Sequence, residues 1–128
     1  MKTIQLPTRN INSRKPELVY KDKLLIHTNS GTFLIRKSDI IFLKAESNYC
    51  EIYLEENVIL CSKTLKHFYE KLSSIQFIRT HNSYLVNIQH ITFIDSAYQQ
   101  LEIMGKWNIP VARRRSNELK RRLEVLCD

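Results

Sequence analysis

Glycine is almost missing from this chain. Its 128 residues hold only Gly31 and Gly105, so no glycine-rich loop is present to cradle a phosphate, and enzymes built on such loops are unsupported. Both glycines fall where hairpin turns are expected. The three cysteines, Cys50, Cys61 and Cys127, are odd in number and share no redox or metal spacing, which argues against a disulfide framework and a zinc site. Cys50 and Cys61 read as small apolar core residues, and Cys127 as part of a terminus. The four histidines, His27, His67, His81 and His90, also fit no zinc spacing, so neither metal nor cofactor is expected. Long apolar runs are absent too. Nothing approaches the roughly 18 residues of a membrane-spanning helix, and the opening "MKTIQLPTRNINSRKPELVY" lacks the apolar segment of a signal peptide. The expected location is the cytoplasm, with no membrane partner.

Acids are in the minority. Against 20 Lys+Arg stand 13 Asp+Glu, a formal charge of +7 and a sequence pI near 9.5, which suggests a polyanionic partner, nucleic acid ahead of an anionic membrane surface. Hydrophobic residues make up 43% and charged ones 26%, the balance of one globular domain with a real core. Residues 1–18 are polar and basic with two prolines and read as a flexible leader. The folded domain is then expected over residues 19–128.

From Lys23 the pattern is that of strands. "KLLIHT", a turn at Asn29-Ser30-Gly31, and "TFLIR" read as a hairpin; "DIIFLKAE" is a third strand. In "YCEIYL" the residues Cys50, Ile52 and Leu54 alternate with Tyr49, Glu51 and Tyr53, so one face is buried. Glu55-Glu56-Asn57 turns the chain into "VILC". The period then changes: Leu65, Phe68 and Leu72 lie at helical spacing, with Ser62 as the expected N-cap and a serine pair ending the run. "FIR", "ITFID", "QLEIM" and "WNIPV" read as further strands, the last two joined around Gly105-Lys106. Pro110 donates no ladder hydrogen bond, so the last strand is expected to lie at an edge or end there. Leu119, Leu123 and Leu126 place one apolar stripe on a terminal helix whose other faces are basic, with six cations and one acid between Arg113 and Arg122. Many short strands without strand-helix-strand alternation predict a mainly antiparallel β domain.

The stretch "RTHNSYLVN" sets Thr80, His81, Asn82 and Ser83 between two apolar segments. His81 with Ser83 and Asp95 has the residue types of a hydrolytic triad, and Cys50 with His81 and Asn82 those of a cysteine protease. Triads are defined by geometry, however, and no nucleophile-elbow pattern accompanies either set; no enzyme is expected. A binding role fits better. Asn82 offers a donor and an acceptor to a base edge, His81 and Ser83 can bond phosphate or base, and Arg79 can fork onto guanine or phosphate. Alternatively, Arg79 or Ser83 satisfies nearby backbone or carboxylate groups.

The run "FIRTHNSYLVNIQHI" closely resembles the signature of the LytTR family of bacterial DNA-binding domains. "DIIFLKAESNY" is similar to that family's early strand and Glu-x-Asn-Tyr turn, and "IPVARRRSNELKRRL" to its Pro-Val-Ser-Arg-Arg segment and last helix. The resemblance implies an elongated fold of small antiparallel sheets with one short internal helix and a C-terminal helix. It implies a transcription regulator, sequence-specific for double-stranded DNA, whose loops rather than a recognition helix enter the major groove. By position, Asn48, Tyr49 and Cys50 would form a first contact loop, His81, Asn82 and Ser83 a second with Arg79 on its border, and Arg113 and Arg114 a third, with Arg115 and Lys120 as backbone contacts. Two positions depart from the pattern: Asn82 stands where arginine is common, and Ala112 where serine is usual, removing one phosphate-binding hydroxyl. Most relatives follow a receiver domain, which the short leader cannot hold, so a stand-alone regulator is expected. It would bind direct-repeat half-sites, with two copies paired on DNA. The rival reading is an RNA- or protein-binding regulatory module of the same fold.

Overall fold

The computed structural model describes residues 22–72 and 74–126; the expected leader and Cys127 lie outside them. The chain forms β1 (Lys23–Thr28), β2 (Gly31–Arg36), β3 (Phe42–Glu46), β4 (Tyr49–Tyr53) and β5 (Val58–Cys61), then the helix α1 (Leu65–Lys71). After it come β6 (Phe77–His81), β7 (Tyr84–Asn87), β8 (Ile91–Ile94), β9 (Gln100–Ile103), β10 (Trp107–Pro110) and the helix α2 (Ser116–Leu126). The strands make a β1-β2 hairpin, a five-stranded sheet ordered β5-β4-β3-β7-β6, and a three-stranded sheet ordered β10-β9-β8. Every pairing is antiparallel. Both glycines serve turns that need positive φ, at 146° for Gly31 and 63° for Gly105. Pro110 ends β10 on the sheet edge.

The five-stranded sheet is a wall between two cores. Successive strand residues point to opposite faces, so adjacent apolar residues serve different cores. Leu43, Phe77 and Leu85 join Cys50, Ile52 and Cys61 on one side, beneath Leu24 and Ile26 of β1 and Leu65 and Phe68 of α1. Phe42, Ile78 and Val86 face the other side, covered by Leu101, Ile103, Ile109 and Leu119. The pairs "FL", "FI" and "LV" are therefore apolar at both residues because both faces are buried. Each such side chain contributes about 1.5–3 kcal/mol by leaving water.

Three local details differ from the sequence expectation. The α1 N-cap is Thr64, whose hydroxyl accepts the His67 N–H at 3.1 Å; Ser62 lies in the bend that follows β5, two residues before the cap. On α2, Leu119 is buried and Leu123 packs partly against the core, but Leu126 is exposed, since the stripe runs past the edge of the sheet it covers. Finally, β6 continues through Thr80 and His81, and Thr80 is buried. The polar interruption is thus shorter than the sequence suggests.

Candidate functional site

β6 and β7 meet at a turn formed by Asn82 and Ser83. Their ladder is out of step just before it: Arg79 pairs with Leu85 but His81 with Tyr84, a bulge at Thr80. Bulges bend a strand and re-aim its side chains, here leaving Asn82 exposed and His81 and Ser83 half-buried. The turn is clamped from inside. The Arg79 Nε donates to the His81 carbonyl at 3.1 Å and its Nη2 to the Asn82 carbonyl at 2.7 Å. The Ser83 N–H donates to His81 Nδ1 at 3.1 Å, so a neutral His81 ring carries its proton on Nε2. At the far end of β7, buried Asn87 donates to the Ile40 carbonyl at 2.9 Å and accepts the Gln89 N–H at 3.0 Å, pinning the strand behind the turn.

The other two sequence-predicted segments join this turn. The Ala45 N–H donates to the Ser83 carbonyl at 2.8 Å, tying in the β3–β4 hairpin, whose tip is Ser47 and Asn48. Ser47 takes φ 52°, a left-handed conformation that costs a non-glycine residue about 1–2 kcal/mol. Asn48 is exposed and Tyr49 half-buried. Cys50 is a correction: strand alternation turns its side chain into the core, where it is wholly buried, so it presents nothing to a partner. From the other side, the Ala112 N–H donates to the Thr80 carbonyl at 2.7 Å, and Arg114 Nη2 to Asn82 Oδ1 at 2.8 Å. Arg113, Arg114 and Arg115 form the 3-10 turn leading into α2.

Cations gather around Asn82: Arg79 and Arg114 hydrogen-bond to it, and Arg115 lies near Arg79. The hydrogen-bond partners of the Arg79 and Arg114 guanidinium groups are carbonyl and amide oxygens. Arg115 is half-buried, with a buried Nε that has no partner. Burial, then the nearby Arg115, lowers the pKa of Arg79 from its ordinary value, though an arginine remains charged at neutral pH. Arg113 and Lys120 are exposed; the Lys120 Nζ lies 5.9 Å from the Tyr98 ring centroid, at a distance from the turn along α2. Such an arrangement can take up an anion through charge while Asn48 and Asn82 offer amides to a patterned edge.

Asp95 Oδ1 accepts the Gln99 and Gln100 N–H groups at 2.7 and 3.1 Å, and Cys50 faces the core. Among the described residues no cluster of His, Cys, Asp or Glu could hold a metal. Sequence reasoning missed Lys44, whose Nζ lies 6.0 Å from the Tyr84 ring centroid beside the turn. A lysine inside the apolar strand "FLKAE" was its one signal. It also missed the backbone N–H bonds of Ala45 and Ala112, which leave no trace in residue type.

A sequence profile of the LytTr DNA-binding domain matches residues 19–124. Sensory transduction protein LytT of Oceanobacillus iheyensis is 34% identical over 106 residues, covering 78% of this chain and 42% of the relative. The protein of that name from Bacillus cereus is 26% identical over 128 residues, covering 97% of this chain and 52% of the relative. The chain thus spans about half the length of the curated relatives it matches. A solved LytTr DNA-binding domain of a methyl-accepting/DNA response regulator from Bacillus cereus superposes with a TM-score of 0.70 at 22% identity, covering 80% of this chain and 96% of that one; at that identity the likeness bears on the fold.

Proposed function

The chain belongs to the LytTR family of DNA-binding domains, and from that premise we propose that it is a sequence-specific double-stranded DNA-binding transcriptional regulator that reads the major groove with loop side chains. The observation that supports this most is the joining of three contact segments around Asn82, with two arginines hydrogen-bonded to that residue. Asn48, Tyr49, His81, Asn82, Ser83, Arg113 and Arg114 would face the duplex, with Arg115 and Lys120 toward phosphate. Arg79 would act from within, holding the turn. The protein works without enzymatic activity, in the cytoplasm, and two copies occupy direct-repeat half-sites.

Selection of bound sequences from a random duplex pool tests the reading. A recovered motif with two equally spaced half-sites is expected. Recovery of unrelated sequences, or preferential capture of single-stranded RNA in competition, would favour the RNA-binding alternative. Phe42, Tyr53 and Trp107 pack on one another, with Phe42 and Tyr53 stacked at 4.2 Å, while Phe33, Tyr69 and Phe93 are exposed; RNA readers stack bases on exposed rings, so the competition decides between the two.

A further inference from the structure

The sequence shows no redox spacing between Cys50 and Cys61, but strand pairing brings them together. They are directly opposite partners in the β4–β5 ladder, and opposite residues of an antiparallel pair project from the same face of the sheet. Both belong to the core shared with β1 and α1, and both are free thiols. Opposed Cα atoms in such a ladder lie about 4.5 or 5.5 Å apart, and a disulfide accepts about 4.4–6.8 Å. A bond between the two sulfurs thus fits the ladder without moving a strand. The thiols differ in access, however. Cys50 is wholly buried, whereas Cys61, with His27, Tyr49 and Lys63, lines a surface cavity of about 510 Å3. The Cys61 S–H donates to the His27 carbonyl at 3.6 Å, so this sulfur sits where β1 meets β5.

We propose that Cys50 and Cys61 form a peroxide-responsive dithiol, in which Cys61 meets the oxidant and Cys50 closes the cross-strand disulfide. The thiolate is the nucleophile in such chemistry. Burial, then Cys61, pushes the Cys50 thiol up to about 12, which keeps it protonated and leaves the first attack to Cys61. The Cys61 sulfur attacks one oxygen of hydrogen peroxide and breaks the O–O bond; a sulfenic acid forms and one water leaves. The Cys50 sulfur then displaces the sulfenic hydroxyl, and its proton departs with that oxygen as a second water. Two thiols are oxidised to one disulfide, and one peroxide is reduced to two waters. The Cys61 hydrogen bond to β1 ends with this step, because a disulfide sulfur has no proton to donate. A thiol reductant reverses the change by exchange. None of this chemistry depends on DNA.

The test compares the wild type with Cys127→Ser, in which Cys50 and Cys61 are the only cysteines. Folded protein is treated with hydrogen peroxide, catalase ends the reaction, and iodoacetamide in denaturant labels the remaining thiols. Peptide mapping should find Cys50 joined to Cys61 within one chain in both proteins, and dithiothreitol should return both residues to full labelling. With dimedone present during oxidation, Cys50→Ala should yield a trapped sulfenic acid at Cys61, whereas Cys61→Ala should leave Cys50 open to later labelling. Cys50 and Cys61 both still labelled after peroxide, a link to Cys127 or to a second chain in their place, or trapping at Cys50 ahead of Cys61 would overturn the assignment. If either alanine variant fails to fold, the map of the wild type and Cys127→Ser decides alone, since it either contains the Cys50–Cys61 bond or does not.

Discussion

At the scale of single residues, the molecule separates groups that touch a partner from groups that hold others in place. Arg79 is of the second kind, since its guanidinium is spent on the His81 and Asn82 carbonyls. Arg79→Ala should therefore weaken specific DNA binding by loosening the turn, yet leave the slope of log affinity against log salt unchanged. Arg113→Ala, at an exposed cation, should reduce that slope by about 1. A salt titration of both variants decides it, and a lowered slope for Arg79→Ala would assign it to phosphate instead. Cys50 provides a pH prediction. Burial, then the facing Cys61, pushes its thiol up to about 12 from an ordinary 9.0. Because the folded value is the higher, the fold favours the protonated thiol. Its stabilisation is complete below pH 9 and is lost as pH rises toward 12. Melting temperature should then fall less steeply between pH 9 and 11 in Cys50→Val than in the wild type; equal slopes would contradict this.

At the scale of elements, periodicity carried most of the information. Every strand but β7, both helices and the turns at Gly31 and Gly105 were legible because side chains repeat at two or at three to four residues, and because glycine stands only where φ is positive; β7, inside the five-stranded sheet, read only as an apolar segment because its residues are buried on both faces. What was not legible had a tertiary cause. The bulge at Thr80 follows from pairing with β7 and from the Ala112 N–H that takes its carbonyl, and neither is written in the local pattern. Likewise, the sequence pointed to Ser62 as the cap of α1, and the path of the chain out of β5 puts Thr64 there instead. Thr64→Ala should cost about 1 kcal/mol of stability and Ser62→Ala almost nothing, as chemical denaturation would reveal; equal costs would place the cap elsewhere. The same experiment separates the leucines of α2. Leu119→Ala should cost about 2–5 kcal/mol, whereas Leu126→Ala, at an exposed position, should stay within about 0.5 kcal/mol.

At the scale of the whole molecule, the excess of basic residues becomes a thermodynamic expectation. If about six phosphates are neutralised, log affinity should fall with log salt at a slope of roughly −5. A flat response, measured from about 50 to 200 mM salt, would count against phosphate binding as the main source of affinity. The candidate site was legible as a set of residue types in "RTHNSYLVN" and "ARRRSNELKRR", but its unity was not, because two of the hydrogen bonds that join the segments use backbone groups alone. That construction has a consequence for how such a protein can change. The bonds from Ala45 to Ser83 and from Ala112 to Thr80 survive every side-chain replacement except proline at the donor, which has no N–H to give. On the proposed reading, mutations at Asn48, Asn82 or Arg113 would change the operator without disturbing the scaffold that displays them, leaving target choice and foldability open to independent evolution and to deliberate redesign.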